Sequence, residues 1–128
     1  MTHENSFVVL PKHTNYMYPL IFGGAFMAEL DLCAATLANR MVKKSPSVNN
    51  AVTHKANFEF IAPSYSGDVI IMKAEVTELR KKAVVVKVIA HREPRGSEVL
   101  EKVAAAEFVF VTRKDDKYKD HFLSYVKT

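Results

Sequence analysis

The sequence contains little cysteine, glycine or proline. Its single cysteine, Cys33, has no disulfide partner within the chain, and its apolar surroundings are typical of a small buried side chain in a reducing compartment. Four glycines and five prolines, with no repeat or low-complexity run, exclude a flexible linker or tail. The composition therefore predicts an ordered protein, and the length of 128 residues predicts one domain over residues 1–128.

Targeting, membrane and metal-binding signals are also missing. Residues 1–13 contain neither a basic segment nor a long apolar run, so we expect no secretory signal and a cytoplasmic location. The most apolar stretch, residues 21–43, carries Glu29 and Asp31 near its middle, and because carboxylates are costly in lipid we expect no membrane span. No cluster of cysteine and histidine suggests a metal site, so we expect no metal and no prosthetic group.

The charge is mildly basic, with a net value of +4 and a pI near 9.2. The excess is spread over residues 80–82, 91–95 and 113–119, each expected at a loop or a strand end. Such a balance suits a nucleic acid, an anionic membrane, a phosphate-bearing ligand or simply a solvated surface. Since the basic segments carry no recognisable nucleic-acid-binding motif, we expect no nucleic-acid partner.

Short-range patterns predict the order of the elements. Residues 7–10 stop at Pro11 and favour a short first strand. From Ile21 to about Lys43 the chain is rich in Ala, Leu and Met and predicts one long helix, which the turn-rich residues 45–50 end. This helix is apolar nearly all round, so it must be covered on more than one side.

Alternating or β-branched segments after the helix predict four long strands, at residues 52–60, 69–79, 83–91 and 102–112. In the first of them the alternation places Thr53 on the face opposite Phe58. Short connections at residues 80–82 and 93–98 require antiparallel neighbours. The sequence therefore predicts an α+β fold in which about five antiparallel strands wrap around one long central helix.

The two carboxylates of the predicted helix point in different directions. Residues two apart in a helix lie about 200° apart, so Glu29 and Asp31 occupy nearly opposite faces. Glu29 lies close to three turns before Arg40, and an ordinary charged face or an ion pair accounts for both. Asp31 instead lies on a stripe of glycine and alanine that begins at Gly24.

That stripe allows two interpretations of Asp31. In one, the carboxylate hydrogen-bonds a backbone group across a close-packed contact. In the other, the missing side-chain volume forms a groove for a ligand, with Asp31 as a base or nucleophile at its floor. The helix start supplies the other half of such a site, because the N–H groups of Gly23 and Gly24 are free donors able to polarise a carbonyl and stabilise an oxyanion.

Three segments resemble the acyl-CoA thioesterase (acyl-CoA hydrolase) family of hotdog proteins: VLPKHTN, IFGGAFMAELD and VTHKANFEFIAPSYSGDVI. They agree with the family's motifs in order and spacing over most of residues 8–112, and the family's hotdog fold agrees with the predicted elements. The resemblance implies an acyl-CoA substrate, with coenzyme A present only as part of the substrate and product.

The resemblance also implies roles for individual residues. Asp31 is expected to activate a water or attack the thioester carbon, and Gly24 to bind the thioester oxygen through its N–H. Asn15 is expected to place the water or the thioester across a dimer interface. Thr53 is a further polar candidate, equally consistent with an ordinary outward threonine. The other residues expected to contact the substrate near the helix start are Phe22 and Gly23.

The sequence departs from the family pattern in two places. The loop before the helix is one residue longer and has Tyr18 and Pro19 where the family has a glycine, so this loop is expected to be reshaped. The first long hairpin has RKKAV where the family commonly has a glycine and a serine. Basic residues at this hairpin and after the last predicted strand are candidates for binding coenzyme A phosphates, with a solvated surface as the alternative. They are Arg80, Lys81, Lys82, Arg113 and Lys114.

His13 and His54 invite comparison with hotdog dehydratases, which use a histidine with an acid on the helix, but the surrounding residues do not match and we expect solvated or structural histidines.

The leading hypothesis is hydrolysis of an acyl-CoA to a free acid and coenzyme A. The alternative is a non-catalytic acyl-CoA-binding module or regulator. The apolar helix predicts a homodimer at least, and the resemblance implies a tetramer or hexamer.

Overall fold

The computed structural model describes residues 1–15, 17–42, 50–114 and 117–119, and within them one long helix lies against a six-stranded antiparallel sheet. The elements in chain order are β1 (Thr2–Val8), a 3-10 turn (Pro11–His13), α1 (Gly23–Val42), β2 (Asn50–Phe60), β3 (Val69–Leu79), β4 (Val84–Glu93), β5 (Glu101–Lys114) and β6 (Lys117–Lys119). The order in the sheet is β1-β3-β4-β5-β2, with β6 paired to the end of β5. The predicted architecture is confirmed.

Short connections explain why the long strands are antiparallel neighbours. The β3–β4 link is closed by a hydrogen bond from the Arg80 amide to the Ala83 carbonyl at 2.8 Å. All four predicted long strands are present, and their observed bounds differ from the predicted ones by at most two residues. The turn predicted at residues 45–50 lies almost wholly outside the described residues, which resume at Asn50.

The core lies between α1 and the inner face of the sheet. The helix buries residues three or four apart, as a helix packed on a sheet must. The strands contribute alternate residues, which all lie on the face that meets the helix. The largest fully buried side chains are Val9, Phe26, Leu30, Leu37, Ile70, Met72, Val84, Val86, Val88, Phe108 and Phe110.

The first strand is longer and earlier than predicted. Instead of residues 7–10, β1 covers Thr2–Val8 and pairs with β3 along its whole length. The prediction relied on an apolar run, whereas an edge strand is half solvated and most of its side chains here are polar. At Val9 the chain leaves the ladder, and Pro11 begins the 3-10 turn.

The helix is slightly shorter than the predicted Ile21–Lys43, and Lys43 itself lies outside the described residues. Of the two explanations offered for Glu29 and Arg40, a shared charged face or an ion pair, the ion pair is wrong, because eleven residues rise about 16 Å along a helix, beyond the reach of the two side chains. Glu29 contacts His13 instead, with 3.3 Å between Oε1 and Nε2. Arg40 lies beside His3 on β1, with 3.3 Å between Nη1 and Nδ1.

The outer side of α1 presents apolar side chains to solvent in the isolated chain. Phe22, just before the helix, is 56% exposed, Leu32 is 58% exposed and Met27 is 39% exposed. This surface continues through the preceding loop, where Met17 and Tyr18 are also exposed. We refer to these five residues as the apolar face. Among the described residues, no helix has the length and hydropathy needed to cross a bilayer.

Candidate active site

A short ladder of backbone hydrogen bonds holds the start of α1. The Phe22 amide donates to the His13 carbonyl at 2.8 Å, and the Asn15 amide donates to the Leu20 carbonyl at 2.9 Å. Thr14 and Ile21 form a bridge between these two bonds. Residues 13–15 therefore run antiparallel to residues 20–22, and the helix start is fixed relative to the Asn15 loop.

The amides of Gly23 and Gly24 are free donors at this helix start. The first intrahelical bond runs from the Phe26 amide to the Phe22 carbonyl at 3.0 Å, so the amides between these residues have no acceptor within the helix. No described residue accepts a hydrogen bond from either glycine amide. Both glycines are exposed, and the partial positive charge of the helix N-terminus adds to their attraction for an oxyanion.

The conformation of the backbone does not explain these two glycines. The glycines with positive φ are Gly67 and Gly96, so Gly23 and Gly24 have backbone angles that any residue adopts. A Cβ at Gly23 would meet nothing within 4 Å, and the three atoms nearest to a Cβ at Gly24 would all belong to the exposed Phe22 ring, the first at 2.9 Å. Packing within the chain therefore requires neither glycine, and both leave open space around free amides.

Asp31 and Thr53 are brought together by the fold. The Thr53 hydroxyl donates to Oδ1 of Asp31 at 2.8 Å, and the aspartate is half-buried. Asp31 lies two turns from Gly24, about 10 Å along the axis. Side chains on a helix lean toward its N-terminus, so the carboxylate leans toward the glycine amides. The structure thus joins the two predicted residues in one hydrogen-bonded pair on the glycine-alanine stripe.

A β-bulge turns Thr53 toward the helix, contrary to the prediction that it faces away. In the β2–β5 ladder Thr53 pairs with Phe110 and Lys55 pairs with Val109, so His54 is an extra residue with no partner. An extra residue shifts the two-residue period by one. Thr53 consequently shares the inner face with Phe58, and simple alternation predicts the wrong face.

Asn39 holds this part of β2 against α1. Its side-chain Oδ1 accepts from the Ala51 amide at 2.9 Å, and its Nδ2 donates to the Ala51 and Ala35 carbonyls at 3.3 and 2.9 Å. Because Ala51 is two residues from Thr53, these bonds fix the distance between the strand and the helix near the Asp31 contact. The role of Asn39 cannot be identified from the sequence, since a bond across twelve residues leaves no local signal.

Asn15 lies in the loop before the helix and is exposed. Its side-chain Oδ1 accepts from the Met17 amide at 3.1 Å, and its carbonyl accepts from the Tyr18 amide at 3.3 Å. The loop departs from the family pattern at Tyr18 and Pro19, and the β2–β3 connection holds this segment in place. The Ser66 amide donates to the Pro19 carbonyl at 2.7 Å. Among the described residues of one chain, the Asn15 side chain thus bonds within its own loop rather than to Asp31.

An open apolar groove of about 420 Å³ borders the helix start. One wall is the beginning of α1 with the residues before it, and the other is the end of β2 with the connection that follows. The lining residues are Leu20, Ile21, Gly23, Phe26, Phe60, Ile61, Ala62 and Pro63. A groove of this kind accommodates an uncharged, flexible chain next to the free glycine amides.

The predicted phosphate-binding residues lie apart from the helix start. The β3–β4 hairpin carries Arg80, Lys81 and Lys82 at the far end of β3, about 30 Å from the end that adjoins the loop before α1. Arg80 donates to Glu78 at 2.9 Å, and this hydrogen bond lowers the pKa of the Glu78 carboxyl and raises that of the arginine. The last two candidates belong to the end of β5 rather than following it, and their side chains lie outside what the structure describes. They are Arg113 and Lys114.

A buried ion pair supports the loop opposite the helix start. Asp68 is 4% exposed, and its Oδ2 accepts from Arg92 at 2.9 Å and from the Tyr65 amide at 2.8 Å. Arg92 also donates to Glu101 at 2.8 Å, and these two carboxylates raise the arginine pKa.

Elsewhere, burial raises the pKa of the Cys33 thiol to about 11, so this thiol is an inert core group. Within the described part of the chain, no three His, Cys, Asp or Glu side chains come together as a metal site requires.

A sheet packed on one helix, with a hydrogen-bonded carboxylate two turns from free amides at the helix start, is an arrangement suited to thioester hydrolysis. The model of the thioesterase superfamily matches residues 18–99, and the chain belongs to that family. This match confirms the resemblance found in the sequence and the prediction of an enzyme of the thioesterase class. No curated protein sequence matches the chain.

Solved structures share the hotdog fold. An acyl-CoA hydrolase from Staphylococcus aureus, in complex with butyryl coenzyme A and coenzyme A, is 23% identical with a TM-score of 0.81, covering 94% of this chain and 70% of that one. A hexameric thioesterase from Yersinia pestis is 20% identical with a TM-score of 0.78, covering 91% and 92%. A Streptococcus mutans protein bound to acetyl CoA is 18% identical with a TM-score of 0.72, covering 91% and 84%. Three further structures of the staphylococcal hydrolase have alanine in place of an asparagine, an aspartate or a threonine.

Proposed function

We propose that this protein hydrolyses an acyl-CoA thioester to a free carboxylic acid and coenzyme A. The observation that carries the proposal is the position of Asp31, hydrogen-bonded to Thr53 and two turns along α1 from the free amides of Gly23 and Gly24. A thioester needs two things from a catalyst: stabilisation of the oxyanion that forms at its carbonyl, and an activated oxygen nucleophile. The glycine amides are suited to stabilise the oxyanion, and Asp31 is suited to activate the nucleophile.

In the proposed reaction the Gly24 amide donates to the thioester oxygen and Asp31 acts as base or nucleophile. As base, the carboxylate takes a proton from water while the water oxygen bonds to the carbonyl carbon. The carbon–sulfur bond then breaks, the Asp31 carboxyl returns its proton to the departing sulfur, and coenzyme A leaves as the thiol. The Thr53 hydroxyl donates to the carboxylate and keeps it turned toward the substrate. Neither route requires a metal or prosthetic group.

The staphylococcal hydrolase supports this choice of residues. The three residue types changed to alanine there are those of Asn15, Asp31 and Thr53, in the same order along the chain. The asparagine and aspartate are fifteen residues apart in that enzyme and sixteen here, and the aspartate and threonine are seventeen apart there and twenty-two here. Order and residue type therefore agree, whereas loop lengths differ.

The working unit is proposed to be a homodimer at least, and a tetramer or hexamer by analogy with the hexameric thioesterase from Yersinia pestis. The apolar face covers the outer side of the helix and the Asn15 loop, which a second copy is suited to bury. In such an assembly Asn15 of one copy approaches Asp31 of another. The basic hairpin at residues 80–82 likewise meets coenzyme A only if it comes from a copy other than the one holding the thioester. A cytoplasmic location remains part of the proposal.

The test is release of free thiol from a panel of short, long and aryl acyl-CoAs. Asp31→Asn keeps the shape and the Thr53 contact but removes the base, so kcat is expected to fall by at least about 100-fold. Glu59→Gln removes an exposed acid on the outer face of β2 and serves as the matched control, with unchanged turnover. Full activity in Asp31→Asn would refute the assigned mechanism.

Binding measurements separate the alternative, a non-catalytic acyl-CoA-binding module. Calorimetry of the wild-type protein with butyryl coenzyme A reports affinity whether or not turnover occurs. If the ligand binds and no thiol appears with any acyl group, the protein is a binding module, and the reshaped loop at Tyr18 and Pro19 is the first place to seek the cause. If neither binding nor turnover is seen, the coenzyme A assignment is wrong.

A further inference from the structure

His13 occupies a junction between the Asn15 loop and the middle of α1. Its ring is 7% exposed and packs on Phe7, with 5.0 Å between ring centroids. Nδ1 accepts from the Leu10 amide at 3.0 Å, and Nε2 lies 3.3 Å from Oε1 of Glu29. The backbone of the same residue accepts the Phe22 amide at the helix start. One residue thus connects three parts of the molecule.

The hydrogen bond from Leu10 determines which ring nitrogen carries the proton. A ring nitrogen that accepts a hydrogen bond does so through its lone pair and carries no proton. Nδ1 is therefore unprotonated, and the proton of the neutral ring is on Nε2. Nε2–H therefore donates to the Glu29 carboxylate, whose side chain is 25% exposed. His13 is a directional connector, with one nitrogen on the loop and the other on the helix.

We infer that the His13–Glu29 hydrogen bond is a positioning device for thioester hydrolysis, an inference that rests on the proposed function. Glu29 is two residues from Asp31 on a rigid helix, and His13 is two residues from Asn15 on the ladder before it. The bond therefore sets the Asn15 loop relative to α1, the helix that carries both the glycine amides and the catalytic carboxylate. Neither His13 nor Glu29 touches the substrate in this proposal.

Two amide substitutions at position 13 separate the two bonds of the ring. His13→Asn places an oxygen near Nδ1, which still accepts from Leu10, but its side chain is too short to reach Glu29. His13→Gln places an NH2 near Nε2, which still donates to Glu29 and loses the acceptor for Leu10. We expect kcat to fall about tenfold in His13→Asn with KM within about twofold, because the position of Asn15, which is proposed to place the water or the thioester, affects the transition state more than substrate binding. His13→Gln is expected to recover most of kcat.

Substitutions of Glu29 test the same hydrogen bond independently. Glu29→Gln keeps an acceptor for Nε2–H and is expected to stay close to wild-type kcat, whereas Glu29→Ala is expected to match His13→Asn. The double variant His13→Asn/Glu29→Ala is expected to be no worse than either single variant, since both remove the same bond. His3→Gln loses the acceptor at Nδ1 and so removes the contact of His3 with Arg40 on α1, and it is the matched control with wild-type kinetics.

Hydrogen exchange measured by mass spectrometry on peptides covering residues 10–26 reports how firmly the loop before α1 is held, and it does not depend on turnover. Exchange is expected to accelerate in His13→Asn and to stay near wild type in His13→Gln. If wild-type protein releases no thiol, the proposed function fails, and the exchange pattern alone decides whether the bond holds the loop. Equal kinetics and equal exchange in the two His13 variants, or additive losses in the double variant, would overturn the inference.

Discussion

Replacing Gly24 with alanine is expected to raise the stability of the fold and lower its activity. Gly24 is in the first turn of α1 with an ordinary backbone conformation, and alanine is favoured over glycine in helices by up to about 1 kcal/mol. The new Cβ would meet Cε1 of Phe22 at 2.9 Å, but that ring is 56% exposed and free to rotate away. For a chain of this length the net gain corresponds to a rise in Tm of about 3 °C.

The same methyl group should obstruct catalysis. In the proposed mechanism the thioester oxygen approaches the Gly24 amide closely, and a Cβ beside that amide occupies part of the approach. Loss of one oxyanion donor costs about 100-fold to 1000-fold in kcat, or roughly 3 to 4 kcal/mol of transition-state stabilisation. The activity loss is thus several times larger than the stability gain and has the opposite sign.

Gly23→Ala provides the matched comparison. It gives the same helix-propensity gain, and its Cβ meets nothing within 4 Å. A similar rise in Tm with a much smaller drop in kcat/KM is expected, measured by thermal unfolding and thiol release on the same preparations. Wild-type kcat/KM in Gly24→Ala would refute the assignment of the amide. A fall in both Tm and activity would mean that another group, such as a side chain of a second copy, packs against Gly24. The glycine would then be required for packing and not for access of a ligand.

Three other expectations concern separate contacts. Thr53→Val removes the hydroxyl that donates to Asp31 and should lower kcat about tenfold, whereas Thr53→Ser should keep at least a third of it in the thiol-release assay. Arg92→Leu leaves the buried Asp68 carboxylate without its ion-pair partner and should cost about 3 kcal/mol in denaturant unfolding, part of which Asp68→Asn in the same chain should restore. For Cys33, a folded-state pKa raised from 9.0 to about 11 gives stability that is complete below pH 9.0 and lost as the pH rises toward 11, so Tm should fall over that window in wild type and less in Cys33→Ala.

Local patterns were sufficient to predict the elements and the face of Asp31. Apolar content and length indicated α1, two-residue alternation and short links indicated the long strands, and helical geometry separated Asp31 from Glu29. These properties depend on residues within one or two turns of each other. The edge strand β1 is the exception, since most of its side chains are polar and only its pairing with β3 makes it a strand.

Tertiary structure decided what the side chains contact. The bulge at His54 depends on the register between β2 and β5, which lie some fifty residues apart, and this register alone turns Thr53 toward Asp31. The partner of Glu29 is His13, sixteen residues earlier, because the loop before α1 folds back onto the helix. Sequence spacing therefore determined which groups the site has available, and long-range register and loop packing determined which of them meet, since the energy of such contacts depends on positions that no local pattern encodes.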